Sequence, residues 1–171
     1  DDNIRIGVSW TSMSTATIQS DMVTNIEQWE PIFALSKVSL INLQYGDITN
    51  VLQNKAPSVH VVQGIDLYND LEELVSLIAG LDLVITIDNI NSQIAGAVGT
   101  PLWAIIPSSW YLLLGQNYHP FYPNAHMINM TEGHLTQISD HLLKIITETS
   151  VLLGEDKHNK FRELSKLLEP A

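Results

Sequence analysis

The sequence contains no cysteine. That excludes disulfides, thiolate metal sites and cysteine nucleophiles, yet leaves the compartment open, because a chain of this size can build a core without covalent staples. No apolar run reaches the roughly 18 to 20 residues that span a bilayer, and the amino terminus has neither the basic start nor the apolar centre of a secretory signal. No membrane insertion is expected, and the location is expected to be cytoplasmic. Positive charge is scarce as well: eight Lys and Arg stand against nineteen Asp and Glu, a net charge of -11. Between Lys55 and Lys144 there is no lysine or arginine at all. A nucleic-acid groove or an anionic membrane surface needs clustered cations, so neither partner is expected. Five of the basic residues, Lys144, Lys157, Lys160, Arg162 and Lys166, alternate with acids near the carboxyl end and read as solvated helix faces.

Several signatures are missing too. There is no G-x-G-x-x-G, no G-x-x-x-x-G-K-[ST] and no G-x-S-x-G, which removes support for nicotinamide binding, P-loop hydrolysis and α/β-hydrolase chemistry. The histidines form no metal signature: His134 and His141 are too far apart for the i, i+4 pairing of a zinc helix, and His60, His119, His126 and His158 are scattered. They read as exposed or capping residues, and no metal is expected.

What is present is an alternation of buried strands and helices. With 171 residues, 45% of them hydrophobic, residues 1 to 171 are expected to form one domain. Since Asp1 is followed almost at once by an apolar strand at Ile4, that domain is expected to belong to a longer chain. Apolar runs rich in Val and Ile occur at Ile4 to Trp10, Val38 to Leu43, Val59 to Val62, Leu83 to Ile87, Leu102 to Ile106 and Met127 to Ile128. Continuous apolarity without alternation marks strands covered on both faces, hence a parallel sheet. Helical patterns fall between them at Glu27 to Leu35, Asp70 to Leu81, Ile90 to Val98, Leu135 to Leu153 and Lys157 to Leu168. Asp70 reads as the cap of the second, with Glu73 at the capping-box position and Gly80 as the stop. The fold class is α/β, a Rossmann-like doubly wound parallel sheet.

Ligands of such sheets bind beyond the carboxyl ends of the strands. The residues there are Ser9 and Trp10, Gln44 to Asp47, Gln63 to Asp66, Asp88 to Asn91, and Pro107 to Trp110. The turn Asp88-Asn89-Ile90-Asn91-Ser92 ends a strand and opens a helix, so its backbone N–H groups offer an anion site without basic side chains. The same residues also suit plain helix capping, and spacing alone leaves both readings open. Asp66, Asp70, Glu72 and Glu73 read as helix-opening acids, with Asp66 facing the crevice as the one exception to be tested. Tryptophans are more often packing residues than ligand contacts, but Trp10 and Trp110 each follow a strand end.

As an ordered set, several segments resemble one family. They are Ile6-Gly7-Val8-Ser9-Trp10, Glu27-Gln28-Trp29-Glu30-Pro31-Ile32, Asn42-Leu43-Gln44-Tyr45-Gly46-Asp47, the stretch from Leu71 to Gly99 with LDLVITIDNINSQIAGAVG at its end, and Pro120-Phe121-Tyr122-Pro123. Together, over residues 4 to 147, they resemble the C-terminal half of bacterial heptosyltransferase-like glycosyltransferases, in the versions appended to tetratricopeptide-repeat proteins. The resemblance implies one half of a GT-B fold, the half that binds a nucleotide-diphosphate sugar as donor substrate, with no metal. It implies that Asp88, Asn89, Asn91 and Gln93 hold the diphosphate or sugar, with Ser9, Trp10 and Gln44 on the neighbouring rim. The general base would lie in the other half, so this chain is expected not to catalyse transfer in isolation. Expected partners are an N-terminal GT-B half or tetratricopeptide-repeat region of the parent chain, and a protein or saccharide acceptor.

Departures from the family pattern are specific. The Asp-x-x-x-x-His turn has Gln93 at the histidine position, Thr11 stands where arginine often follows the serine-tryptophan pair, and Trp110 is followed by Tyr111 and Leu112 rather than arginine. Each missing charged hydrogen bond is worth on the order of 1.5 to 3 kcal/mol, so three of them are worth several orders of magnitude in affinity. A donor of lower charge, a cation from the missing half, or a degenerate half retained as a non-catalytic scaffold or interaction module are the alternatives. A sensor of a neutral small molecule is a weaker one.

Overall fold

The computed structural model describes residues 3–12, 24–36, 38–106, 113–116, 118–129 and 134–149. Six strands, β1 (Ile4–Ser9), β2 (Val38–Asn42), β3 (Val59–His60), β4 (Leu83–Ile87), β5 (Leu102–Ile106) and β6 (Ala125–Asn129), form a sheet in the order β3-β2-β1-β4-β5-β6, and every pairing is parallel. Helices α1 (Glu30–Phe33), α2 (Thr49–Lys55), α3 (Leu71–Ala79), α4 (Ile90–Val98) and α5 (His134–Thr149) connect or cover the strands. The α/β Rossmann-like class expected from the apolar runs is the class observed. None of these helices is long and apolar enough to cross a membrane.

Parallel strands need covering on both faces, and the sheet separates two apolar clusters. On one face, Ile6 and Val8 of β1, Ile85 and Ile87 of β4 and Trp103 of β5 pack with α1 and with Leu135, Ile138 and Leu142 of α5. On the other, Val84, Ala104 and Ile106 meet Leu74 and Ile78 of α3 and Ile94 and Ala95 of α4. The period of two along each strand distributes side chains between these clusters.

Helix ends follow local chemistry. Asp70 caps α3 by accepting from the Glu73 amide at 3.1 Å, and the chain stops at Gly80. Asn89 caps α4, and Gly99 ends it at φ 85°, a left-handed conformation that costs a residue with a Cβ about 1 kcal/mol. Three expectations need correcting. The strand proposed over 59–62 is only Val59–His60, leaving Val61 and Val62 exposed. The helix proposed over 27–35 is a 3₁₀ turn, Ile26–Trp29, followed by the single turn of α1, with Pro31 at a first-turn position that tolerates it. Helix α2 was not anticipated, because its sequence TNVLQNK buries only Leu52 and carries almost no apolar periodicity. The segments Pro107 to Trp110 and Lys157 to Leu168 lie outside the described residues.

The sheet order reverses at β1. The chain moves outward to β2 and β3, then returns to place β4 on the other side of β1. The carboxyl ends of β1 and β4 therefore flank the switch point at which doubly wound sheets bind ligands.

Candidate functional site

At that switch point three of the expected residues meet. Gln44, just past β2, is almost wholly buried, and its Oε1 accepts from Ser9 Oγ (3.2 Å) and from the amides of Trp10 (3.1 Å) and Thr11 (2.9 Å). Its own backbone is held by Asn42, which accepts from the Gln44 amide and donates to its carbonyl. Ser9 Oγ in turn accepts from Asn89 Nδ2 at 3.0 Å. The side-chain chain Gln44, Ser9, Asn89 thus ties together the carboxyl ends of β2, β1 and β4.

Asn89 also does what a capping residue does. Its Oδ1 accepts from the Asn91 amide at 2.9 Å, its carbonyl accepts from the Ser92 and Gln93 amides, and its own amide donates to Ser92 Oγ. The amides of Asn91, Ser92 and Gln93 that could greet an anion are therefore engaged within the turn. Asp88 is half-buried beside them, and its Oδ1 accepts from Gln93 Nε2 (3.1 Å) and Ser92 Oγ (3.2 Å).

Two of the seven expected residues turn away from the crevice. Trp10 is 4% exposed and packs edge-on against Phe33, with ring centroids 5.9 Å apart, inside the same cluster as Ile6 and Val8. The reason lies in strand periodicity: positions 4, 6, 8 and 10 share a face, so Trp10 continues the core while Ser9 points to the other side. The Asn91 side chain is fully buried and donates from Nδ2 to the Leu43 carbonyl at 3.0 Å, and its Oδ1 has no hydrogen-bond partner among the described residues. Trp10, expected on the rim, and Asn91, expected at the diphosphate or sugar, thus both have side chains turned into the interior.

Beyond β2 and β3 the surface opens into a cavity of about 710 Å³ whose lining includes Gln44, Tyr45, Gln53, Gln63, Asp66 and Tyr68. The rings of Tyr45 and Tyr68 are 5.7 Å apart and tilted by 52°. Asp66 reaches this cavity while its carboxylate holds a turn, accepting from Asn69 Nδ2 (2.9 Å) and from the Asn69 and Tyr68 amides (both 3.0 Å). Those bonds, the Asn69 side chain first, hold its pKa below the usual carboxylate value. No lysine or arginine is among the described residues that line it; Lys55 pairs with Glu27, and Arg5 pairs with Asp82 at 3.4 Å. Gln44 and the segment 63–66 were legible as strand-end residues. Tyr68 was not, because it lies two residues further along, in an irregular loop.

The sequence reading also passed over the neighbour of Asp88. His119, expected to be exposed or capping, is 8% exposed. Its Nδ1 accepts from the Phe121 and Tyr122 amides, both at 3.2 Å, and its ring stacks on Tyr122 at 4.4 Å and 18°. Tyr122 lies against α4 at Gly96, where an added Cβ would come within 2.4 Å of the ring. Asn124 fastens the same loop by donating to the carbonyls of Ala95 (3.1 Å) and Thr100 (2.6 Å). Burial holds the His119 pKa below its ordinary value, with the Asp88 carboxylate pulling the other way.

No protein-family model matches the chain. It is 33% identical over 125 residues to Protein FlbA of Caulobacter vibrioides, which covers 71% of this chain and 21% of that protein. Among solved structures it is similar to E. coli heptosyltransferase WaaC with ADP (17% identity, TM-score 0.56, 85% of this chain and 44% of that one). It is likewise similar to the same enzyme with ADP-2-deoxy-2-fluoro heptose (16% identity, TM-score 0.55, 86% and 43%). The chain thus spans about a fifth of the length of the curated relative (21%) and under half that of the solved structures (44% and 43%). The structural likeness establishes the fold alone: the parallel α/β sheet matches just under half of the E. coli heptosyltransferase WaaC chain.

Proposed function

We propose that this chain is the nucleotide-sugar-binding half of a GT-B glycosyltransferase and is not catalytic by itself. The observation that carries this reading is the cavity of about 710 Å³, open at the carboxyl end of a sheet with the fold of half a heptosyltransferase. It is within the range of small-molecule pockets and pairs aromatic walls with amide groups, a composition suited to a nucleotide sugar. Gln44 links it to the Ser9 and Asn89 network at the switch point. The acceptor and the general base belong, in this reading, to another half or a repeat region of the parent protein, and no metal takes part.

The test is a titration of the chain with adenosine, uridine, guanosine and cytidine diphosphate sugars. Saturable micromolar binding of one class, weakened by Gln93→Ala, is the expected result. Sugar transfer or nucleotide-sugar hydrolysis by residues 1 to 171 alone would count against the non-catalytic part.

A second reading, a GT-B half kept as a non-catalytic scaffold, is favoured by one observation. The amides at the start of α4 are engaged by Asn89, and the segment from residue 56 to 143 holds no lysine or arginine to replace them. Absence of binding to the chain and to the full parent protein would select it.

A further inference from the structure

The Asp88 turn faces a residue from a different part of the chain. Asp88, Ser92, Gln93, His119 and Tyr122 share a pit of about 10 Å³, room for roughly one water, so a ligand there rests across its mouth rather than inside it. Two backbone amides converge on His119 Nδ1, which must therefore carry the lone pair, and the ring proton sits on Nε2. That Nε2–H has no hydrogen-bond partner among the described residues, and although the residue is only 8% exposed, Nε2 is not among the atoms shut off from solvent, so a ligand can reach it. Asp88 is in the complementary condition: Oδ1 is engaged, and Oδ2 has no partner among the described residues.

A neutral donor and an ionised acceptor at one pit select among ligand groups. A phosphate would be brought up to the Asp88 carboxylate with no cation from residues 56 to 143 to offset the repulsion. A hydroxyl group accepts one hydrogen bond and donates another, and so matches both partners. We propose that His119 is a ligand-contact residue and that the group recognised at the Asp88 turn is a sugar hydroxyl, accepting from His119 Nε2–H and donating to Asp88. This rests on the nucleotide-sugar reading and assigns the turn to the sugar rather than to the diphosphate. The stacking of His119 on Tyr122, and of Tyr122 on Gly96, fixes the imidazole before any ligand arrives.

The test compares each nucleotide sugar with its bare nucleoside diphosphate, by calorimetry, on wild type and His119→Asn. Asparagine retains an oxygen near the Nδ1 position to accept the Phe121 and Tyr122 amides but has no group at Nε2. The expected result is a loss of about tenfold in affinity for the nucleotide sugar, the worth of one such hydrogen bond, with affinity for the nucleoside diphosphate unchanged. Nitrogen-15 spectra of wild type should show the Nε2–H tautomer and a shift of that signal on adding the nucleotide sugar alone. Equal weakening of both ligands by His119→Asn, or no weakening of either, overturns the proposal while leaving nucleotide-sugar binding intact. No binding of any probe to wild type overturns both.

Discussion

A single imidazole illustrates how much one residue's environment decides. His119 keeps its proton on one nitrogen because two amides claim the other, and burial disfavours the charged ring more than Asp88 favours it. A histidine whose folded pKa is depressed binds its proton more readily when unfolded. The stability it contributes is therefore complete above the unfolded value of about 6.5 and is lost as pH falls through the lower folded value. The urea midpoint should drop between pH 7.5 and pH 5, and His119→Asn should shrink that drop; an unchanged pH dependence in the variant would show that His119 is not the group responsible. Nothing in the sequence distinguishes this histidine from His60 or His158. Gln44 differs, since its place after an apolar run marked it in advance as a strand-end residue.

At the scale of elements, contacts between neighbours in space explain what periodicity does not. Gly96 in α4 leaves room for a neighbour, and the structure identifies it as Tyr122 from the loop before β6. Gly96→Ala would force a Cβ to within 2.4 Å of that ring, so either α4 or the His119 loop must shift. A cost of about 1 to 3 kcal/mol is expected, read as a lower urea midpoint. In the double variant with Tyr122→Ala the penalty of Gly96→Ala should largely vanish, as coupled neighbours require. Strands β4 and β5 matched their apolar runs to the residue, because five consecutive buried side chains leave no other reading. Helix α2 could not be read, since packing by Leu52 against the sheet rather than a repeated stripe stabilises it.

Across the whole molecule, the sheet divides the core, and each half depends on its helical cover. Leu135, Ile138 and Leu142 of α5 close the face that holds Trp29 and Trp103, and Ser139 Oγ donates to the Pro31 carbonyl at 2.8 Å. Burial of three such side chains is worth about 5 to 9 kcal/mol, comparable with the total stability of a typical domain at about 5 to 15 kcal/mol. A chain ending at residue 130 is expected to lose its cooperative urea transition and its near-ultraviolet tryptophan dichroism. Retention of both would mean that α5 is dispensable to the core.

The sequence by itself determined the parallel sheet, its four central strands, the cap of α3 and the shortage of cations, because these depend on neighbours along the chain. It could not determine which strand-end side chains meet, which turn inward, or what faces them. Trp10 joined the core and Asn91 closed on the Leu43 carbonyl. Tyr45 approached Tyr68, and His119 arrived beside Asp88 from far along the chain. Those pairings are set by strand order and loop packing, which bring together residues whose separation in sequence carries no trace of their separation in space.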